Sequence, residues 1–260
     1  MRTVLTALAA SLLVIGCLPS VDAQTDFQWH GRIPAGQRIE IKGVNGDIRA
    51  SQAGGSEVEV SATRSARRSD PTEVRFEVLQ HDGGVTICAV YPSPAGRDAN
   101  RCEPGAGGHS TTRNNDTVVR FEVHVPAGVN FVGRTVNGEV VGESLQGDAE
   151  GYTVNGSVNL STTGVALANT VNGSINASMG RADWPGDASF HTVNGGIALT
   201  VPSVLNAELR ATTVNGDITT DFPVTVTGSF NRRRLDGTIG SGGHELRLST
   251  VNGSIKLVRN

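Results

Sequence analysis

Residues 153–158 read Thr-Val-Asn-Gly-Ser-Val, and closely similar hexapeptides recur along the chain. The shared motif, Val-Asn-Gly-x-(Ile/Val), occurs at residues 44–48, 136–140, 154–158, 171–175, 193–197, 214–218 and 251–255. A degraded copy, Leu-Asp-Gly-Thr-Ile, stands at residues 235–239. From Asn137 onward the copies follow one another at intervals of 16 to 22 residues. Repeats of this length are typical of a solenoid, in which each coil packs on its neighbours.

The Asn-Gly pair of the motif is compatible with two backbone structures. Between β-forming residues it usually marks a two-residue hairpin turn. A hairpin would place each motif Val opposite a polar residue or glycine on the same face, an unfavourable pattern for a half-buried sheet. A corner between two strands of one coil instead lets the Val and the following Ile both point inward. We therefore favour the corner, with Gly supplying a positive φ and the Asn amides bonding from coil to coil.

The corner model assigns one structural Asn or Asp to each coil. These residues are Asn45, Asn137, Asn155, Asn172, Asn194, Asn215, Asp236 and Asn252. If the coils stack in sequence order, Asn172 lies between Asn155 and Asn194. Asn252 then lies at the end of the stack, with Asp236 as its stacked neighbour.

Composition and periodicity predict an all-β fold. Aromatic residues make up 4% of the chain, glycines number 33, and no stretch has a helical period. We predict a single-chain β-solenoid resembling a right-handed parallel β-helix, with residues 129–260 forming the repeats. Residues 24–128 are predicted to form an antiparallel β section, continuous with the repeats, that caps one end of the stack. Pro-Ala-Gly opens a β layer in both sections, at residues 34–36 and 126–128.

Residues 1–23 are predicted to be an export signal peptide. Arg2 precedes an apolar run at residues 4–15, and Val-Asp-Ala at residues 21–23 offers a cleavage site. The alternative is a lipoprotein signal in which Cys17 carries the lipid anchor. Both interpretations place the mature chain in the periplasm, on the outer cell surface or in the medium. The apolar run is too short for a spanning helix, so no transmembrane span is expected in the mature chain.

Either form of processing leaves Cys88 and Cys102 as the cysteines that can pair. In an exported protein an even number of cysteines indicates a disulfide, which here closes a loop of about 15 residues and contributes about 3 kcal/mol. The enclosed residues 89–101 are rich in Pro, Gly and Arg and have no apolar period. Two free thiols are the alternative. A metal site is not expected, because the histidines lack ligand spacing.

The motif and its companions resemble a known family. The Thr-Val-Asn-Gly-(Ser/Asp/Glu)-(Ile/Val) copies, Val-Pro-Ala-Gly at residues 125–128 and the glycine-rich run at residues 237–243 resemble the bacterial putative-adhesin family, a β-strand-repeat domain of unknown function. The resemblance covers about residues 27–257. It implies an exported, adhesin-like β-solenoid and supplies no catalytic motif. The Cys-bearing insertion at residues 88–116 departs from the family pattern.

The residues that follow Asn-Gly in successive copies show whether acids gather on one face of the coils, as an enzyme would need. Lyases and hydrolases built on β-solenoids need carboxylates, or a carboxylate with Arg or Lys, on one face of adjacent coils. From residue 137 onward this position reads Glu139, Ser157, Ser174, Gly196, Asp217, Thr238 and Ser254. The acids therefore fall on non-adjacent coils if the coils stack in sequence order. We accordingly predict no catalytic, cofactor-binding or metal-binding residues, and no cofactor.

Two other groups have a binding and a structural interpretation. The Arg run at residues 232–234 could meet an acidic glycan or form a solvated bend, and the latter is favoured. Trp184 and Phe190 could stack on sugars or cover the core, and again the structural role is favoured. The formal net charge of −3 argues against nucleic acid.

The sequence therefore predicts an exported, non-enzymatic, adhesin-like structural or binding protein of a bacterial cell envelope. Its partner would be an envelope component, a glycan or a protein. The alternatives are a polysaccharide-active β-helix enzyme and a partner in envelope-stress sensing or assembly.

Overall fold

The computed structural model describes residues 26–108, 110–226 and 231–260. The predicted signal peptide, with Cys17, lies outside these residues. The described chain is all-β, with 21 strands and one short 3-10 turn at Pro71–Glu73. Within these ranges, no helix has the length and apolar character needed to cross a bilayer.

The strands form two sheets. In chain order they are β1 (Phe27–Gly31), β2 (Arg38–Lys42), β3 (Ile48–Gln52), β4 (Val58–Ser65), β5 (Arg75–His81), β6 (Gly84–Val90), β7 (Val118–Val125), β8 (Asn130–Arg134), β9 (Val140–Leu145), β10 (Ala149–Tyr152), β11 (Val158–Thr162), β12 (Ala166–Asn169), β13 (Ile175–Met179), β14 (Ala188–His191), β15 (Ile197–Val201), β16 (Ala207–Thr212), β17 (Ile218–Thr220), β18 (Val224–Val226), β19 (Arg234–Ile239), β20 (Glu245–Ser249) and β21 (Ile255–Arg259). Sheet A has the order β1-β4-β7-β3-β9-β11-β13-β15-β21-β17. Sheet B has the order β5-β6-β2-β8-β10-β12-β14-β20-β16-β19-β18.

Each repeat coil contributes one strand to sheet B, an Asn-Gly corner and one strand to sheet A. β10, the corner at residues 153–156 and β11 form one such coil. Neighbouring coils pair in parallel and in register, so that Val158 lies opposite Ile175 and Ile175 opposite Ile197. Parallel bridges also join the corner Asn residues of neighbouring coils. These pairings confirm the all-β solenoid and the corner interpretation of the motif.

Burial at the corner differs from the expectation in one respect. The final Ile or Val of the motif is buried at nearly every copy, but the first Val is buried only at Val44, in the copy without a preceding Thr; Val136, Val154 and Val171 are 37–39% exposed. The Thr that precedes this Val is buried instead, as in Thr153 and Thr192. The inward Thr buries its methyl group, and its hydroxyl finds an acceptor on the neighbouring coil.

That acceptor is the carbonyl oxygen of the motif Gly in the preceding coil of the stack. Each of the six motif Thr residues donates to such an oxygen at 2.7–3.1 Å, for example Thr192 to Gly173. The N–H of that Gly in turn donates to the Asn carbonyl of the same coil that supplies the Thr hydroxyl, at 2.7–3.0 Å for the six pairs. The corner thus satisfies buried polar groups that a plain apolar corner would leave without partners.

The motif Gly is required mainly for space. Among the seven motif glycines, all of them described, only Gly46 and Gly216 have a positive φ, so the expected conformational role holds at those two. A Cβ added to Gly173 would collide with the carbonyl of Gly156, and a Cβ added to Gly195 would collide with the carbonyl of Gly173. Any side chain here would therefore push two coils apart.

The corner Asn side chains form one continuous ladder. The Nδ2 group of each Asn donates to Oδ1 of the previous Asn at 2.7–2.8 Å. The order along the ladder is Asn45, Asn137, Asn155, Asn172, Asn194, Asn252 and Asn215. All six bonds have the same direction, and Nδ2 of Asn45 donates to the carbonyl of Thr117 at 3.4 Å.

The stack order corrects the sequence-order model. Asn252 lies between Asn194 and Asn215, because β21 is placed between β15 and β17. Asn252 is therefore internal, and Asn215 is the last Asn of the ladder. The coils of Asn252 and Asn215 carry the same motif in the same register, so the repeat pattern alone does not indicate which of them comes first in the stack.

Asp236 is not a corner residue, and that prediction is wrong. It lies within β19, which pairs antiparallel with β16 and β18, and it stands opposite Arg210. Leu235 and Ile239 point inward from β19, so the degraded motif has the alternating burial of a strand. This copy also lacks the preceding Thr, whose hydroxyl makes the bond between coils in six of the other seven copies.

The N-terminal section lies at one end of both sheets. β1 and β7 pair antiparallel with β4, and β5 pairs antiparallel with β6, as expected for a cap. By contrast, β2 pairs in parallel with β6 and β8, and β3 pairs in parallel with β7 and β9. Together β2 and β3 form the first coil of the stack, with Asn45 at its corner. The division at residue 129 and the right-handed winding stay predictions.

The ladder order generates a stability prediction. We expect Asn172→Ala and Asn252→Ala to lower the free energy of unfolding by similar amounts, and each by more than Asn215→Ala. The internal residues each make two ladder bonds and Asn215 makes one, and a hydrogen bond contributes about 0.5–1.5 kcal/mol net. Urea midpoints at equal slope measure the differences. A midpoint for Asn252→Ala that matches Asn215→Ala and not Asn172→Ala would contradict the observed order.

Candidate functional sites on the two outer faces

Residues 92–108, here called the strap, cover the outer face of sheet B near its β5 edge. The predicted disulfide is present: Cys88 on β6 is bonded to Cys102, with 5.8 Å between their Cα atoms. The side chain of Asn100 fixes the strap further, since its Nδ2 donates to the carbonyls of Tyr91 and Thr111, both at 2.8 Å. The strap is therefore held at both the disulfide and the amide.

A buried carboxylate lies beneath the strap. Glu40 on β2 is 1% exposed, and its Oε1 accepts from Nε of Arg134 at 2.8 Å. Its Oε2 accepts from Oγ1 of Thr86 at 3.0 Å and from the backbone N–H of Gly105 at 2.8 Å. One oxygen is thus paired with a cation, and the other binds the strap. Full pairing of this kind is what a buried charge requires.

Lys42, two residues further along β2, binds the same segment of the strap. Its Nζ donates to the carbonyls of Glu103, Gly105 and Gly107 at 2.7, 3.0 and 2.7 Å. Burial lowers the pKa of the Lys42 ammonium, while the neighbouring Glu40 opposes that change. All three N–H donors have backbone acceptors, so this lysine is committed to holding the strap.

Arg134 completes the cluster by stacking on an aromatic ring. Its guanidinium carbon lies 3.9 Å from the ring centroid of Tyr152, a cation–π geometry. Burial raises the pKa of Tyr152 to about 12, with the nearby Glu150 adding to the effect. The Tyr152 hydroxyl donates to Glu150 at 2.8 Å. Glu40, Lys42 and Arg134 therefore form a structural clamp on the strap.

The outer face of sheet A has a charged end near the N-terminal cap. Nη2 of Arg49 lies 3.5 Å from Asp47 Oδ2 and 3.7 Å from Glu139 Oε2. These two acids occupy the position after Asn-Gly in adjacent coils, because β3 pairs directly with β9. The expectation that acids fall on non-adjacent coils is wrong here. It rested on the copies from residue 137 onward, whereas the copy at residues 44–48 also belongs to the stack and lies beside the copy at residues 136–140.

Glu122 on β7 lies next to this group, directly opposite Arg49 of β3. Partial burial raises the pKa of its carboxyl, and Arg49 and His124 act in the opposite direction. His124 shares a 3.0 Å hydrogen bond with Ser51 through its Nδ1 atom. In the parts of the chain that the structure describes, no three His, Cys, Asp or Glu side chains are arranged to hold a metal ion.

Beyond the charged end, small polar side chains cover the outer face of sheet A. Nδ2 of Asn176 on β13 donates to Oδ1 of Asn159 on β11 at 2.8 Å. Ser178 and Thr200 lie one pleat further along neighbouring strands, opposite each other. A shallow depression is lined by Asn176, Ser178 and Thr200 together with Leu160, Ala177 and Ala198. This face carries hydrogen-bonding groups on a rigid, nearly flat support.

The remaining sequence candidates have structural positions. Trp184 is 4% exposed and Phe190 is fully buried, so they cover the core and do not form a sugar-stacking surface. The predicted Arg run forms a tight turn between Asn231 and Arg234. Its carbonyls at Arg232 and Arg233 accept from the N–H groups of Ile218 and Thr213, while the Arg234 side chain pairs with Asp236.

Sequence reasoning missed the clamp. Glu40 and Lys42 alternate with the buried Ile39 and Ile41, a pattern typical of a strand with a solvated outer face. The one available signal was the adjacent disulfide loop, which has to lie against some surface. Its Gly and Pro content gave no indication of which strand it would cover.

Residues 144–258 match the Toastrack family model, DUF4097. This match confirms, for the repeat region, the resemblance found in the motif. No curated protein sequence matches the chain.

Two solved structures are similar to the chain. One is described as a putative cell adhesion protein from Clostridium sporogenes, with 10% identity and a TM-score of 0.42 over 90% of this chain and 99% of that one. The other is described as a putative adhesin from Bacteroides fragilis, with 12% identity and a TM-score of 0.36 over 90% and 96%. The strap lies at residues 92–108, outside the matched Toastrack region.

The clamp generates a proteolysis prediction. We expect Lys42→Met to speed trypsin cleavage after Arg97 or Arg101 by about tenfold or more, because three charge-assisted hydrogen bonds to the strap are lost. The disulfide stays oxidised, and the cleavage sites are assigned by mass spectrometry. Lys256→Met, which removes an exposed lysine from sheet A, is the matched control. Equal cleavage rates in the two variants would show that Lys42 does not hold the strap.

Proposed function

We propose that this chain is an exported, non-enzymatic binding protein of a bacterial cell envelope. It is adhesin-like in the sense that a rigid, repeating face holds an extended, hydroxyl-rich polymer such as a glycan. The outer face of sheet A, around Asn159, Asn176 and Ser178, is the binding surface in this proposal.

Export is supported by two observations. The first is the disulfide between Cys88 and Cys102, since such bonds persist in oxidising compartments and are rare in the cytosol. The second is the sequence of residues 1–23, with its apolar run and small-residue cleavage site.

The observation that carries the binding proposal is the polar character of sheet A's outer face. An Asn amide offers two donors and an acceptor, and the bond between Asn176 and Asn159 uses only part of this capacity. Equivalent positions on neighbouring coils repeat at about 4.8 Å, so an extended chain can meet several of them in succession. The strands are fixed on both sides by parallel pairing, and a fixed surface loses little conformational entropy on binding.

The outer face of sheet B is less suited to this role near the cap. There the strap covers the strands, Lys42 is fully engaged with its backbone, and Glu40 is divided between Arg134, Thr86 and the strap N–H of Gly105. Sheet A has no comparable cover over β11, β13 and β15 in the described residues.

The binding proposal is tested with a panel of envelope polysaccharides. We expect Asn176→Ala/Ser178→Ala to weaken binding of the polysaccharide that the unaltered protein retains by about tenfold, because two hydrogen-bonding groups contribute about 0.5–1.5 kcal/mol each. The control is Asn169→Ala/Ser189→Ala, which removes the same residue types from sheet B. Equal affinity of both variants, or no retained polysaccharide, would contradict a glycan surface on sheet A.

A polysaccharide-active enzyme is the second candidate, because acids gather at the charged end of sheet A. Glu122, with its raised pKa, has the character of a general acid, and Asp47 or Glu139 could act as its ionised partner. We expect no release of reducing ends from the same polysaccharides. Turnover that Glu122→Gln abolishes, while Glu208→Gln on sheet B leaves it unchanged, would overturn the non-enzymatic proposal.

A further inference from the structure

One coil is inserted into the stack out of sequence order. β20 and β21, here called the inserted coil, lie between the coil of β14 and β15 and the coil of β16 and β17. Leu246 of β20 is paired with both Ala188 and Leu209, and Ile255 of β21 with both Ile197 and Ile218. Within the described residues, β16 and β17 have no direct pairing with β14 and β15. The coil of β16 and β17, here called the outer coil, is therefore connected to β14 and β15 only through the inserted coil in the described sheets.

The place of the inserted coil is a specific slot. Asn252 bonds to Asn194 on one side and to Asn215 on the other, both at 2.8 Å. Thr250 donates to Gly195 and Thr213 donates to Gly253, so the corner bonds also continue through the slot. The inserted coil fills the interior with four fully buried side chains, namely Leu246, Leu248, Ile255 and Leu257. Only a segment with this strand, corner and strand pattern makes all of these contacts.

Two segments of the chain compete for the same edge. The outer coil presents the same Thr-Val-Asn-Gly corner as the inserted coil, in the same register. Asn215 follows Asn194 by 21 residues, nearly the interval between the preceding copies. The outer coil is therefore able to stack directly on β14 and β15 while a molecule is folding. When it does so, the inserted coil of that molecule has lost its slot.

The connection to the inserted coil has the freedom that an exchange requires. Residues 240–244 link β19 to β20, and Gly240, Gly242 and Gly243 have φ values of 60°, 77° and 150°. The backbone N–H of Ser241 is held by Oδ1 of Asn206 at 2.9 Å. This segment is exposed and rich in glycine, so it can adopt other paths at low conformational cost.

We propose that the slot of one molecule accepts residues 245–259 of a second copy of this chain. The exchanged coil makes the same backbone pairs, ladder bonds and core contacts in the second molecule, so no new interface chemistry is needed. The partner is identified by the corner motif and by the buried Leu and Ile pattern. Exchange occurs during folding, when one molecule has closed its own slot and the slot of the second is still open, and its yield increases with protein concentration.

Cysteines at a directly paired position test the exchange. Ala198 on β15 and Lys256 on β21 are opposite each other on the outer face of sheet A, at a separation that a disulfide can span. One full chain carries Ala198→Cys, and a second, differently tagged chain carries Lys256→Cys. The two are unfolded together in urea without reductant, refolded together and oxidised. We expect a disulfide-linked heterodimer whose cross-linked peptides contain residues 198 and 256.

The control pair places cysteines at Asn159 and Asn176, again in separate chains. These residues are also directly paired on sheet A, but their coils follow sequence order. We expect little linked heterodimer from them, and a tenfold dilution during refolding should lower the heterodimer fraction of the test pair. Equal yields from the two pairs would overturn the proposal. A single chain with both Ala198→Cys and Lys256→Cys should form the disulfide within the molecule. Failure to do so would show that β21 does not lie beside β15, and the proposal would then be wrong.

Discussion

The close contact between successive Asn-Gly corners is the constraint on which the stack depends. At Gly173 the neighbouring carbonyl of Gly156 occupies the space where a Cβ would lie, so the coils approach as closely as backbone atoms allow. That approach brings the Thr hydroxyl and the Asn amide within bonding distance of the next coil. Three residue types of the motif thus act together, because the glycine sets the separation that the other two require.

The corner also determines what the two outer faces can do. Backbone groups at the corners are satisfied within the stack, so outward side chains on the strands remain available for other contacts. Near the β5 edge of sheet B the outward groups are used internally, since Glu40 and Lys42 hold the strap. On sheet A the Asn and Ser rows are open. At this end of the stack the two outer faces therefore differ, because a single insertion covers part of sheet B.

The repeat, the corner and the disulfide could be predicted from sequence because each depends on local chemistry. Asn-Gly favours a sharp change of direction, and Cys88 and Cys102 are few enough to have one pairing. The position of Asn252 could not be predicted, because its coil and that of Asn215 carry the same motif in the same register. The inward Thr was missed because apolar character favoured Val, whereas the bond to the neighbouring carbonyl decides in favour of Thr. The clamp at Glu40 depends on where the strap lies, which no local pattern specifies.

The Asn ladder has a further physical consequence, since its six side-chain bonds share one direction. Aligned amide dipoles polarise one another, so their partial charges accumulate at the two ends of the row. The row begins at Asn45 with a donor and finishes at Asn215 with an acceptor oxygen that carries partial negative charge. Arg232 and Arg233 are anchored to this same coil, through bonds to Ile218 and Thr213. The solenoid is therefore an electrically oriented rod, and the backbone of two arginines is bonded to the coil at its negative pole.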